Sequence, residues 1–246
     1  MTGQLLEVRR VTKNFGGVQA LSGVDLSVSK GEVVGVIGPN GAGKSTLFSV
    51  ICGIKPTFGS ILFKGVDITG NAACDICHCG IARTFQLTRP FLQLSVRDNV
   101  ASAFLFGRGG QKVSGLGEAR ERAMGVLREV KLDHRGGVLA SDLLFAERRR
   151  LELARAVATG PELLLLDEAM AGLSTGEAQE MLEILAGLRQ KYGITLLVIE
   201  HIMKVVMAIS KKIVVLNYGS KLAEGTPEEV ASHREVVAAY LGDEGA

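Results

Sequence analysis

The run Gly38-Pro39-Asn40-Gly41-Ala42-Gly43-Lys44-Ser45-Thr46 has the spacing G-x-x-x-x-G-K-[ST], whose chemistry is phosphate binding. Its glycines let the backbone curl so that several N–H groups face one point. A helix beginning at the end of the loop adds its partial positive charge there. Lys44 brings a full positive charge to the β- and γ-phosphates of a nucleotide, and Ser45 offers a hydroxyl to Mg²⁺. A second group of reactive residues is the carboxylate pair Asp167-Glu168. Asp167 can help hold Mg²⁺, and Glu168 can polarise an attacking water. Together these residues can bind a nucleoside triphosphate and hydrolyse it.

The flanking residues predict the elements that must position them. Val33-Val34-Gly35-Val36-Ile37 reads as a buried strand entering the loop, and Leu47-Phe48-Ser49-Val50-Ile51 as the start of a helix leaving it. That context separates a phosphate loop from a chance glycine-rich turn. Leu163–Leu166 is an apolar strand that ends in the two carboxylates, which sets them apart from an acidic patch on the surface. Ile194–Ile199 and Ile213–Leu216 read as further core strands. Between the first two lies a helix with a capping box at Ser174 and Glu177, an apolar face of Met181, Ile184, Leu185, Leu188 and Tyr192, and a stop at Gly193. This alternation predicts an α/β fold with a mainly parallel core sheet. Leu5–Thr12 and Val24–Val28 are shorter and alternate, as half-exposed antiparallel strands do. Residues from about 87 to 156 break the rhythm and read as an inserted helical lobe. One of its helices carries Ala119, Ala123, Val126, Leu127 and Val130 on one face, after a flexible loop from Gly107 through Gly117. There is no internal repeat.

The chain has 246 residues, 47% of them hydrophobic and 22% charged, enough for one substantial core. No apolar run approaches the ~18 residues needed to span a bilayer. The start, MTGQLLEVRR, lacks the regions of a secretory signal, so a cytosolic chain is expected. A net charge of +2 gives no electrostatic case for nucleic acid. Cys52, Cys74, Cys77 and Cys79 make no disulfide framework in a chain of this kind. The segment Cys74-Asp75-Ile76-Cys77-His78-Cys79 has the C-x-x-C-H spacing of haem c attachment and could begin a zinc site. A cysteine-rich helix or loop without a ligand is the expected reading.

Further motifs, in order, resemble the ATP-binding subunits of ABC transporters. Thr84-Phe85-Gln86 resembles the Q-loop, whose glutamine approaches Mg²⁺ and water and senses the transmembrane partner. Glu200-His201 resembles the H-loop, whose histidine contacts the γ-phosphate. Phe15 sits where the family stacks an aromatic ring on adenine, and Ala171-Gly172-Leu173-Ser174 resembles the D-loop. The runs Phe15–Ala20, Gly80–Gln86, Leu151–Ala156 and Ile199–Met203, with the tail from Leu222 to Gly242, look like the branched-chain amino acid importers. Relatives that import amides or urea share much of this pattern. The resemblance covers nearly the whole chain. It implies a single P-loop NTPase cassette over 1–246: a RecA-like core with an antiparallel β-subdomain over 1–86 and 157–246, and a helical subdomain over 87–156. It also implies ATP and Mg²⁺, with Ser45, Gln86 and Asp167 as metal-side residues and Lys44, Gln86, Glu168 and His201 as catalytic ones. The implied partners are integral-membrane permease subunits, a second ATP-binding subunit (identical or homologous) and, indirectly, a solute-binding protein. The implied location is the inner face of the plasma membrane, reached through the permease, with no nucleic acid involved.

One stretch departs from the pattern. Where the family usually has L-S-G-G-Q, which caps the γ-phosphate bound by the other subunit, this chain has Leu143-Leu144-Phe145-Ala146-Glu147, ahead of a helix expected over Glu147–Thr159. Leu144 lacks a hydroxyl whose bond to a charged phosphate is worth about 1.5–3 kcal/mol. Ala146 costs about 1–2 kcal/mol if its position requires positive φ. Ala169 replaces the family's usual proline. Because Lys44, Glu168 and His201 are retained, hydrolysis is the expected activity. The alternatives are a regulatory or weakly hydrolysing subunit, and a non-transport ABC ATPase acting on DNA or ribosomes. The second usually carries a long coiled-coil insertion or two fused cassettes, and neither is present here.

Overall fold

The structure, a computed structural model, describes residues 3–86, 88–108 and 113–241. Its strands are β1 (Gln4–Phe15), β2 (Val18–Ser29), β3 (Val33–Ile37), β4 (Phe58–Phe63), β5 (Val66–Asp67), β6 (Ile81–Arg83), β7 (Leu163–Asp167), β8 (Thr195–Ile199), β9 (Lys212–Asn217) and β10 (Ser220–Gly225). Its helices are α1 (Lys44–Ile51), α2 (Ala73–Cys79), α3 (Val96–Phe106), α4 (Leu116–Glu129), α5 (Phe145–Ala158), α6 (Thr175–Tyr192), α7 (Met203–Ile209), α8 (Pro227–Ala231) and α9 (Arg234–Leu241). They divide into two units, one running to Ile76 and resuming at Thr195, the other spanning Cys77–Ile194.

In the first unit, an antiparallel sheet runs in the order β2-β1-β4-β5. Its longest pair is set by the apolar partners Leu6↔Val28, Val8↔Leu26 and Val11↔Val24. Both strands are longer than their alternation predicts, at 12 residues each. The reason is a register shift between Val8 and Val11. There Arg10 takes φ +46 and its N–H turns to Asp25 Oδ1 at 2.9 Å. A bulge of this kind interrupts the two-residue period without ending the strand. A second, mixed group places β3 between β8 and β9, parallel to both, with β10 antiparallel to β9. All five residues of β3 are buried, as a central parallel strand requires.

In the second unit, β6 pairs in parallel with β7 from Ile81↔Leu163 to Arg83↔Leu165. Helix α3 starts at Ser95, whose hydroxyl accepts the Asp98 N–H at 3.0 Å. Helix α4 buries Ala119, Ala123, Val126 and Leu127, with Val130 buried just beyond it. Gly117 belongs to this helix rather than to the loop expected before it, of which residues 109–112 lie outside the described ones. Helix α6 has the expected capping box: Ser174 N–H donates to Glu177 Oε2 at 2.8 Å, and Glu177 N–H returns to Ser174 Oγ at 3.4 Å. Gly193 ends it at φ +66. Tyr192 departs from expectation. At the final position of the helix it is 42% exposed, outside the buried stripe of Met181, Ile184, Leu185 and Leu188. The cysteines of α2 form no disulfide among the described residues, and His78 Nε2 lies 3.1 Å from Phe106 O. Among the described residues no cluster of histidine, cysteine and carboxylate side chains could hold a metal ion.

Candidate active site

Strand β3 delivers the chain into the phosphate loop at Gly38. The helix leaving the loop begins at Lys44, inside the motif and earlier than the apolar residues alone indicate. Gly43 precedes it at φ +98, where a Cβ would come 2.6 Å from Ala20 O, so the turn demands glycine. No side chain caps α1, and its first turn holds no acid. Leading N–H groups at such a helix start are the kind that can face an anion. Lys44 is buried, and its Nζ donates to Gly38 O at 2.6 Å and Pro39 O at 2.8 Å. An ammonium held on loop carbonyls is poised for exchange onto a phosphate. Ser45 and Asn40 are exposed at the loop surface.

Because β3 and β8 are parallel, with Val36 opposite Ile199, their carboxyl ends leave the sheet on the same edge. Ligands bind at that edge in open α/β sheets. The phosphate loop starts two residues after one member of this pair, and exposed His201 follows two residues after the other. Glu200 beside it is buried. Phe15 stands at the tip of the β1–β2 hairpin, paired with Val18 and 49% exposed. Lys13 Nζ lies 4.9 Å from the centroid of its ring.

In the second unit, β7 carries the carboxylates. Asp167 Oδ2 accepts from Arg83 Nη2 at 2.6 Å, and both side chains are largely buried. Asp167 Oδ1 is buried with no hydrogen-bond partner among the described residues. Thr84 bonds β7 twice: its N–H donates to Leu165 O at 2.9 Å, and its hydroxyl accepts the Asp167 N–H at 3.2 Å. Glu168 follows at φ +50, a left-handed conformation that a non-glycine residue keeps only when its surroundings enforce it. Gln86 Nε2 donates to its Oε2 at 2.8 Å. The structure thus brings together the glutamine and glutamate that the motifs imply, through an amide N–H held on the carboxylate.

Helix α5 clasps the segment before that glutamine. Glu152 accepts the Phe85 N–H at 2.6 Å, and Arg149 Nη1 donates to Phe85 O at 3.1 Å. Burial pushes the Glu152 carboxyl above its ordinary range, against the lowering effect of the Phe85 N–H and of the Arg149 and Arg155 charges. Burial likewise lowers the Arg155 guanidinium, with Glu152 opposing it. Sequence reasoning missed Arg83, Arg149 and Glu152.

The signature residues Leu144 and Phe145 are 72% and 51% exposed. Phe145 and Ala146 lie in the first turn of α5, which starts two residues before the expected Glu147. Ala146 is therefore helical and absent from the positive-φ residues, so the strain considered for it does not arise. Glu147 Oε2 accepts the Leu144 N–H at 2.9 Å, but Leu144 offers no side-chain acceptor in return. Half of a capping box is present.

Residues 21–171 match the ABC transporter family model, and residues 220–246 match that of the branched-chain amino acid ATP-binding cassette transporters. The chain is 40% identical to the high-affinity branched-chain amino acid transport ATP-binding protein LivG of Escherichia coli K12, over 99% of this chain and all of that protein. An ATP-binding cassette of an ABC transporter in its ADP conformation superposes with a TM-score of 0.87 at 33% identity, covering 98% of this chain and 100% of that one. A dimeric cassette bound to ADP and phosphate superposes at 0.81 with 25% identity, over 90% and 98% of the two chains. The chain belongs to the ABC transporter ATP-binding proteins, in the group of the branched-chain amino acid transporters.

Proposed function

We propose that this ATPase subunit powers import of branched-chain amino acids or related small polar solutes through a membrane permease. The observation that carries the catalytic part is Glu168, held at the end of a buried strand with Gln86 on its carboxylate. Lys44 and the loop N–H groups bind the β- and γ-phosphates, and Phe15 supports the base. Glu168 takes the proton of the attacking water, while His201 contacts the γ-phosphate. The Gln86 N–H on Glu168 Oε2 lowers the basicity of the carboxylate, which makes Gln86 a natural point of control. The residues suit Mg²⁺, because the buried unpartnered Asp167 Oδ1 and the Ser45 hydroxyl are hard oxygen donors. When bound, the ion neutralises phosphate charge. Leu144–Glu147 of a second subunit, identical or homologous, would complete the pocket over the γ-phosphate.

Among the described residues no helix is long and apolar enough to cross a membrane. We place the chain at the cytoplasmic face, held by the permease. A surface groove of about 570 Å³ supports this, lined by Phe85, Phe91, Leu94, Ala103, Phe106 and Ala156 among others. Phe106 is 77% exposed and Phe91 50% exposed. The groove begins at Phe85, adjacent to Gln86, so a permease helix seated there bears on the residue that holds Glu168. The test is co-purification from membranes. The chain should bring down a multi-spanning permease, and Phe106→Glu should lose it while still binding ATP. Recovery of ribosomes or DNA alone would contradict the transport reading.

A further inference from the structure

The turn between β9 and β10 does none of the chemistry assigned above, yet it is bonded to the phosphate loop. Gly219 N–H donates to Ala42 O at 3.1 Å, and Gly219 O accepts the Ser22 N–H at 2.8 Å. One residue thus ties β2 to the second half of the loop. The turn is two residues long, Tyr218-Gly219, between the paired Asn217 and Ser220. Both residues take positive φ, +45 and +77, as a tight two-residue hairpin requires. A tyrosine keeps such a conformation only where its surroundings enforce it. At Gly219 a Cβ would come 2.9 Å from Ala20 O, the same carbonyl that excludes a Cβ from Gly43. Loop, turn and β2 are therefore stacked backbone on backbone.

The bond falls on a peptide that leads into the phosphate-facing end of α1. In a planar trans peptide the carbonyl and the N–H point in opposite directions. Holding Ala42 O on Gly219 therefore turns the Gly43 N–H away from the hairpin. The Gly43 carbonyl accepts the Leu47 N–H at 2.9 Å, the first bond of α1. The direction of one N–H and the start of one helix both depend on where the Ala42–Gly43 peptide is held.

We propose that Gly219 is a positioning residue for the phosphate loop, its N–H fixing the Ala42–Gly43 peptide so that the Gly43 N–H and the start of α1 face the phosphates. The β9–β10 turn is thereby coupled to nucleotide affinity. This inference rests on the ATP-binding reading and adds a residue that acts only through the loop backbone. Because coupling is reciprocal, bound ATP must also steady the Gly219–Ala42 bond.

The test compares Gly219→Ala with Gly65→Ala. The first methyl collides with Ala20 and forces the turn, with its N–H, off Ala42. The second sits in the β4–β5 turn at the same φ of +77, following Lys64 at φ +53, with nothing within 4 Å of the added methyl. Both variants carry the same left-handed strain, and only one disturbs the loop. Gly219→Ala should raise the Kd for Mg·ATP about threefold or more, the worth of one hydrogen bond, while Gly65→Ala leaves it below that. A merely structural glycine would lower Tm in both variants and leave both Kd values unchanged. A rise of less than about threefold in Gly219→Ala, or an equal rise in the two variants, overturns the proposal. An unmodified chain that binds no ATP overturns the ATP-binding reading as well. Should Gly219→Ala fail to fold, amide exchange in the unmodified protein decides. Slower exchange of the Gly219 N–H on adding Mg·ATP supports the coupling, and unchanged exchange there overturns it.

Discussion

Glu168 and Asp167 are adjacent in sequence, yet the structure gives them different partners. Arg83 holds one oxygen of Asp167, and Gln86 holds one oxygen of Glu168. The phosphate loop and the carboxylate pair were legible because their chemistry is local: fixed spacing, a strand before, a turn or helix after. Arg83 and Glu152 were not, because each acts on a residue distant in sequence or through a backbone atom, and spacing carries no trace of that. Glu152 gives a test at this scale. Its folded carboxyl lies above its unfolded value of 4.5, with burial as the first cause. The folded state thus binds the proton more readily, and this group's contribution to stability falls as pH rises through that window. Glu152→Gln keeps an acceptor for the Phe85 N–H and removes the buried charge. Chemical denaturation should show its advantage over the parent to be greatest near neutral pH and to shrink as pH falls through the raised carboxyl range. An advantage that grows on acidification would contradict the account.

Among the elements, α6 was legible from end to end because its stops are side-chain chemistry, Ser174 with Glu177 at one end and Gly193 at the other. Strand β1 was only partly legible, because the bulge at Arg10 breaks the alternation that marks a strand. The start of α5 was misplaced for a related reason. Its cap is Leu144, a residue with no capping group, so no start signal is written there. Leu144→Ser supplies the missing acceptor to the first turn of α5 and completes the box with Glu147. It should stabilise the fold by about 1 kcal/mol, raising Tm by about 2–4 °C. In the assembled ATPase it should also raise turnover by about tenfold or more, by restoring a hydroxyl for the γ-phosphate. A gain in Tm without a gain in turnover would show that residue 144 caps its helix but does not reach nucleotide.

For the whole molecule, the account assigns separate tasks to separate parts. The first unit holds the phosphate loop, His201 and Phe15. The second holds Asp167, Glu168, Gln86 and the apolar groove beside Phe85. The C-terminal segment, matched by the branched-chain family model, packs Tyr240 against the buried cluster that includes Ile37, the residue before the loop. We propose that this organisation serves ATP turnover at Glu168. The most direct measurement is steady-state ATP hydrolysis by the permease-bound protein and by its Glu168→Gln variant, with ATP affinity measured alongside. The account requires the variant to bind ATP as tightly as the parent or tighter, and to lose about 10²- to 10⁴-fold in kcat. Equal turnover in the two proteins, or none in either while both bind ATP, would contradict it.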